Sequence, residues 1–180
     1  MAYYYFDFRD VKKKDCYGLL SSIISQLSAE SDSCFNVLSK LYDNRLGMPT
    51  PNLGALKICL ADMLSLSRQD QIYIIVDALD ECPNSSGMRS AREEVLKFVE
   101  EIVNLNLPNV HLCVASRPEM DIRLVLEPLT TLKISLHDEI GQKVDIIEYI
   151  ISVVRSDRLS WEEKDKRLVI DTLLSKADGM

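Results

Sequence analysis

The run Ile72-Tyr73-Ile74-Ile75-Val76-Asp77-Ala78-Leu79-Asp80-Glu81 constrains this chain more than any other stretch, because an unbroken apolar and aromatic segment gives way abruptly to acids. Continuous β-branched and aromatic residues mark a buried strand of the kind found in parallel sheets. The functional crevice of such a sheet lies beyond the carboxyl ends of its strands, which is where Asp77, Asp80 and Glu81 are delivered. An acid at a strand end can hold Mg²⁺, directly or through water, and one a few residues later can polarise a water that attacks a terminal phosphate. The same residues also suit a plainer role, in which Asp77 ends the strand and Asp80 and Glu81 open a solvated turn closed by Cys82-Pro83. The motif alone leaves both open.

A second segment, Val110-His111-Leu112-Cys113-Val114-Ala115-Ser116-Arg117-Pro118, repeats the layout. An arginine at a strand end can contact a γ-phosphate and report its loss. It can equally pair with a neighbouring acid such as Glu119 or Asp121. Two apolar strands, separated by one amphipathic helix, bring polar residues to the same sheet edge, and this pairing favours a site. A phosphate cradle reading G-x-x-x-x-G-K-[ST] is its usual companion. None of the six glycines (Gly18, Gly47, Gly54, Gly87, Gly141, Gly179) begins one.

The remaining periodicities fill in an α/β fold with a mainly parallel sheet flanked by helices. Tyr3 to Phe8 reads as a strand. Asp15 caps a helix with Leu19, Leu20, Ile23, Ile24 and Leu27 on one face, Ser33 to Tyr42 forms a second, and Asn52 caps a third through Leu53, Leu56, Leu60 and Met63. Ile72 to Val76 and Asn109 to Ala115 are strands around a helix carrying Val95, Phe98, Val99, Ile102 and Val103. Leu132 to Leu136 reads as a weaker strand, before a helix with Ile146, Ile147, Ile150, Ile151 and Val154. Ser160-Trp161-Glu162-Glu163 reads as a capping box opening the last helix.

A net charge of −7, with Lys12-Lys13-Lys14 the only basic run, argues against nucleic acid as a partner. Five cysteines without C-x-x-C spacing suggest neither a disulfide framework nor a zinc site, and point to a reducing compartment, here the cytoplasm. No basic-then-apolar leader opens the chain and no apolar run is long enough for a membrane span. A strand at the very start and Ala177-Asp178-Gly179-Met180 just after a helix make both ends look cut from something longer.

Taken in order, YYYFDF, LLSSIISQL, IYIIVDALDEC, LPNVHLCVASRPEMDI and KADGM resemble the NACHT-type domain of STAND-class P-loop NTPases, in particular the fungal proteins with a nephrocystin-type N-terminal module. The resemblance implies a Walker B strand in which Asp77 is the Mg²⁺-associated acid and Asp80 and Glu81 orient or activate water. It places Arg117 at a sensor position and Ser116 beside the phosphate. It implies ATP or GTP with Mg²⁺ as cofactors of a parent signalling switch, a core over 1–136 and a helical extension over 137–180. The Walker A strand, loop and helix of that family are missing, and its Walker A strand is a central one, lying between Val110–Ala115 and Leu132–Leu136. The expectation is therefore an incomplete sheet, weak nucleotide binding, little activity alone, and exposed strand edges that invite self-association or another protein. A non-catalytic interaction module with a degenerate NTPase fold is the alternative. An aspartate-nucleophile phosphotransferase fits less well, since its strand end reads D-x-D and Asp77 and Asp80 are spaced D-x-x-D.

Overall fold

Strands β1 (Ala2–Tyr5), β2 (Ile72–Asp77) and β3 (Val110–Val114) form a parallel sheet in the order β1-β2-β3, in a computed structural model that describes residues 1–43, 50–66, 71–84, 90–135, 140–156 and 160–176. Tyr4 lies opposite Val76, and Ile74 opposite Leu112. Between β1 and β2 the chain forms α1 (Cys16–Glu30), α2 (Asp32–Asp43) and α3 (Leu53–Leu66), and between β2 and β3 it forms α4 (Ala91–Asn104). α5 (Met120–Leu126) follows β3. These elements belong to a first compact unit, Met1–Thr130.

The caps show why the helices begin where they do. Asp15 accepts the Gly18 N–H at 2.8 Å, Asn52 that of Ala55 at 2.8 Å and Ser90 that of Glu93 at 3.0 Å, each satisfying a donor that the first turn leaves free. The apolar faces read from the sequence are buried: Leu19, Leu20, Ile23 and Ile24 on α1, Leu56, Leu60 and Met63 on α3, Val95, Phe98 and Val99 on α4. Val103 and Phe35, assigned to such faces, are exposed. Leu19, Ile23, Leu60, Ile74, Val76 and Phe98 close around a gap of only about 10 Å³, a centre packed near crystal density.

Among the described residues of this unit, the helices cover one face of the sheet. Ala2, Tyr4, Ile72, Ile74 and Val76 point into the helices, whereas Tyr3, Tyr5, Tyr73, His111 and Cys113 are exposed, and Tyr73 stacks on His111 with ring centroids 4.9 Å apart. The cause is topological. The strands are laid down in one direction across the sheet, and right-handed crossovers taken in one direction set their helices on the same face. Reading β2 as fully buried is corrected accordingly: Ile75 is only partly covered and Tyr73 is half exposed.

The two edges differ as well. The amide of Gln26 on α1 accepts the Tyr3 N–H at 3.0 Å and donates to the Tyr3 carbonyl at 2.7 Å, satisfying this residue of the outer edge of β1 as a strand would. The outer edge of β3 pairs with no strand among the described residues. Leu132–Leu136, expected as a strand, is irregular over 132–135, with Leu132 and Ile134 exposed, and Leu136 lies outside the described residues. Alternating apolar residues make a strand only where a neighbouring strand receives their backbone groups, and among the described residues the sheet ends at β3. β1 also stops earlier than expected, because the Asp7 carboxylate accepts the Arg9 N–H and its carbonyl the Asp10 N–H, turning the chain after Phe6.

The second unit, Thr131–Met180, contains α6 (Ile140–Val154) and α7 (Glu163–Lys176), which pack on each other. Val154 and Ile170 are buried. The helix starts at Glu163, so the Ser160 capping box does not open it. The expected turn at 47–49, the loop at 85–87 and the terminal 177–180 lie outside the described residues. No helix among the described residues is long and apolar enough to cross a membrane.

Candidate functional site

Asp77 is the last residue of β2, and its carboxylate is exposed, with Oδ1 accepting the N–H of Ala78 at 2.8 Å. Ala78 sits in the left-handed region at φ 53°, ψ 43°. A non-glycine residue there is strained by about 1 kcal/mol or more, and such strain concentrates where a loop must be aimed. The turn at Ala78 feeds a 3-10 turn, Leu79–Glu81, whose Leu79 is fully buried and anchors it. Leu79 N–H also donates to the carbonyl of Ala115, stitching the loop after β2 to the loop after β3.

Across that stitch the acid and the arginine meet. Asp80 accepts the backbone N–H of Arg117 at 3.1 Å and the hydroxyl of Ser116 at 3.4 Å, and its other oxygen lies 3.5 Å from Arg117 Nε. Asp80 is nearly enclosed, whereas the Arg117 side chain is 83% exposed, so the ion pair itself is worth about 0–1 kcal/mol. Glu81 points the other way and accepts the Phe8 N–H at 3.4 Å. Of the residues read from the sequence as a site, Asp80, Ser116 and Arg117 thus meet, with Asp80 and Arg117 engaged with each other, while Asp77 and Glu81 make other contacts.

The acids proposed as partners for Arg117 have a different one. Glu119 and Asp121 pair with Arg92, in the first turn of α4, which is only 5% exposed. Its Nε donates to the Cys82 carbonyl at 2.9 Å and its Nη2 to the Asp80 carbonyl at 2.5 Å. Burial presses the guanidinium toward neutrality, but the hydrogen bonds and charges of Glu119 and Asp121 outweigh it and hold the proton more tightly than usual. Sequence reasoning missed Arg92. The signal was there, since Arg92, Val95, Val99 and Ile102 share the inward register of one helix and a lone charge on such a face needs buried partners.

A cleft of about 370 Å³ opens between these groups, walled by Phe8, Asp80, Glu81, Arg92, Arg117 and Glu119. Its charges are mixed and largely paired. Burial pushes the thiol of Cys82, which lines the cleft, up to about 12, away from the thiolate that a nucleophile needs. Among the described residues no three His, Cys, Asp or Glu side chains converge as a metal-binding set. Mg²⁺ held mainly by nucleotide phosphates and water needs only one or two carboxylates, and the exposed Asp77 fits that demand. A nucleotide's phosphates fit less well, since no glycine-rich cradle of backbone N–H groups stands in the sequence.

No curated protein and no solved structure matches the chain. The family model described as nephrocystin 3, N-terminal, matches residues 1–117, a span that includes β1 through β3 and ends on Arg117. On that match, covering well over half of its length, the chain belongs to the nephrocystin 3 N-terminal family.

Proposed function

We propose that this chain supplies the acid-and-sensor half of a nucleoside triphosphate site in a NACHT-type, P-loop NTPase switch that works in the cytoplasm. The observation that carries this reading is the contact of Asp80 with Ser116 and Arg117, which joins the end of the strand that carries Asp77 and the turn that carries Glu81 to the end of the next strand. In it, Asp77 holds Mg²⁺ through water, Asp80 and Glu81 orient the attacking water, and Ser116 and Arg117 face the terminal phosphate. Bound nucleotide would draw the exposed Arg117 side chain away from Asp80 and release one of its two carboxylate oxygens, a change suited to a switch. No hydrolytic step is assigned to the chain alone, because the 180 residues contain no phosphate cradle.

Titration of the ligand-free chain with Mg·ATP or Mg·GTP, followed by backbone amide shifts, tests the reading. Weak binding is expected, with shifts confined to residues 77–81 and 115–119 and diminished in Asp77→Ala and Arg117→Ala. Shifts elsewhere, or identical titrations in both variants, would overturn it. Turnover above background that vanishes in both Asp77→Ala and Glu81→Ala would show that some other group replaces the missing cradle. The uncovered sheet face bearing Tyr3, Tyr5 and Tyr73 favours a second reading, a non-catalytic module that binds protein.

A further inference from the structure

We propose that Arg92 is a positioning residue, a buried tether that fixes the placement of Asp80 relative to Arg117 independently of the contact between them. Besides the backbone bond from Leu79 N–H to the Ala115 carbonyl, charged side chains tie the two loops in two places. The outer tie is the Asp80 carboxylate with Ser116 and Arg117, of which the contact with the exposed Arg117 side chain is easily broken. The inner tie is the guanidinium of Arg92. Two of its nitrogens hold carbonyls of the loop after β2, those of Asp80 and Cys82. The third reaches the loop after β3 through Glu119 and, at 3.3 Å, Asp121. Asn84 reinforces the span by donating to Asp121 at 2.9 Å.

The planar fork explains why this is an arginine. One rigid cation must meet two carbonyls on one loop and two carboxylates on the other, and lysine's single ammonium on a flexible stem cannot reach all four. The division of labour follows from exposure. Arg117 can leave Asp80 for an incoming anion while Arg92 keeps the loops in register, so the acid and the sensor remain aligned in both conditions. Use of this alignment by a nucleotide rests on the function proposed above; the tether itself does not.

Amide hydrogen exchange on the ligand-free chain separates the two. In Arg92→Met the amides of Glu81, Cys82, Arg117 and Glu119, all hydrogen-bonded, should exchange about tenfold faster or more, while Ile74 and Leu112 in the sheet keep their protection. Arg92→Lys should recover part of the protection at Arg117 and Glu119 and little at Glu81 and Cys82, since it keeps the charge and loses the fork. Arg117→Ala should leave Glu81 and Cys82 unchanged. A residue serving only general stability would instead raise exchange throughout the sheet. If Arg92→Met fails to fold, the double variant Glu119→Gln/Asp121→Asn cuts the same tether from its far end and should loosen the same amides. The proposal is overturned if the folded variants stay within about twofold of wild type in both loops, or if Arg117→Ala loosens them equally. Because no nucleotide is present, its failure leaves the half-site reading standing, and a failed Mg·ATP titration leaves the tether standing.

Discussion

Replacing Gly18 by alanine sets two well-known effects against each other, and the local distances decide the sign. Gly18 is the third residue of α1, where exchanging glycine for alanine ordinarily stabilises a helix by about 1 kcal/mol. Here the new Cβ would stand 2.3 Å from the Lys12 carbonyl oxygen and 2.8 Å from Tyr4 Oη. The first neighbour is backbone and cannot swing aside. The turn at Val11–Lys13 would have to retreat by about 1 Å to restore contact distance. Such overpacking costs about 1–3 kcal/mol, and the hydrogen bond from Tyr4 Oη to the Lys12 carbonyl, 3.3 Å long and partly buried, is worth about 1 kcal/mol more. With the helix gain subtracted, Gly18→Ala should be destabilised by about 1–3 kcal/mol.

Urea unfolding followed by circular dichroism measures this, with a lower midpoint and an unchanged slope as the expected outcome. Adding Tyr4→Phe removes Oη but leaves the Lys12 carbonyl in place, so the double variant should not recover to the level of Tyr4→Phe alone. Full recovery would locate the clash at the hydroxyl, and Gly18→Ala at or above wild-type stability would refute the packing argument altogether. The effect also reaches the cleft. Phe8 leads into the displaced turn, lines the cleft and donates its N–H to Glu81, so a retreat of Lys12 is transmitted toward the acid loop.

Two further outcomes follow from burial and from the open edge. Burial raises the thiols of Cys16 and Cys82 to about 12, well above the 9.0 of an unfolded cysteine, so between those values the native state holds protons that the unfolded state has lost. Their contribution is complete below pH 9 and declines as pH rises, by up to about 1.4 kcal/mol per pH unit for each thiol. Urea midpoints that stay flat from pH 8 to 10, or a decline undiminished in Cys16→Ala/Cys82→Ala, would contradict this. Self-association through β3 should appear in light scattering as mass rising with concentration, and Cys113→Lys, a charge on its exposed face, should reduce it without lowering the melting temperature. A wild-type chain that remains monomeric throughout the series rules the edge contact out.

What could be read beforehand divides by range. Asp15, Asn52 and the inward residues of α1, α3 and α4 were legible because caps and helical faces are set within a turn or two of chain. So was the arrival of Asp77, Asp80, Glu81, Ser116 and Arg117 at one sheet edge, which needs only parallel strands and a crossover. Partner choice was not legible. Arg117 pairs with Asp80, 37 residues away, while its sequence neighbours Glu119 and Asp121 turn to Arg92. The one-sided burial of β2 was likewise hidden, because an unbroken apolar run reads the same whether one face is covered or two.

That one-sidedness and the half-site are connected by geometry. Strands laid down in one direction leave a single face covered, and covering the other requires the winding to reverse somewhere. Gln26 already occupies the Tyr3 backbone on the outer edge of β1, so the β3 edge is the more open place for a further strand. Added in the parallel sense, its carboxyl end and the loop beyond it would lie beside Ser116 and Arg117, and a helix after it could cover Tyr73, Ile75 and Cys113. The open edge, the bare face and the unpaired side of the candidate site therefore occupy one region of the molecule. A structure that satisfies the β3 backbone in this way would complete the site in the same step, whereas a partner docking elsewhere on the chain would do neither.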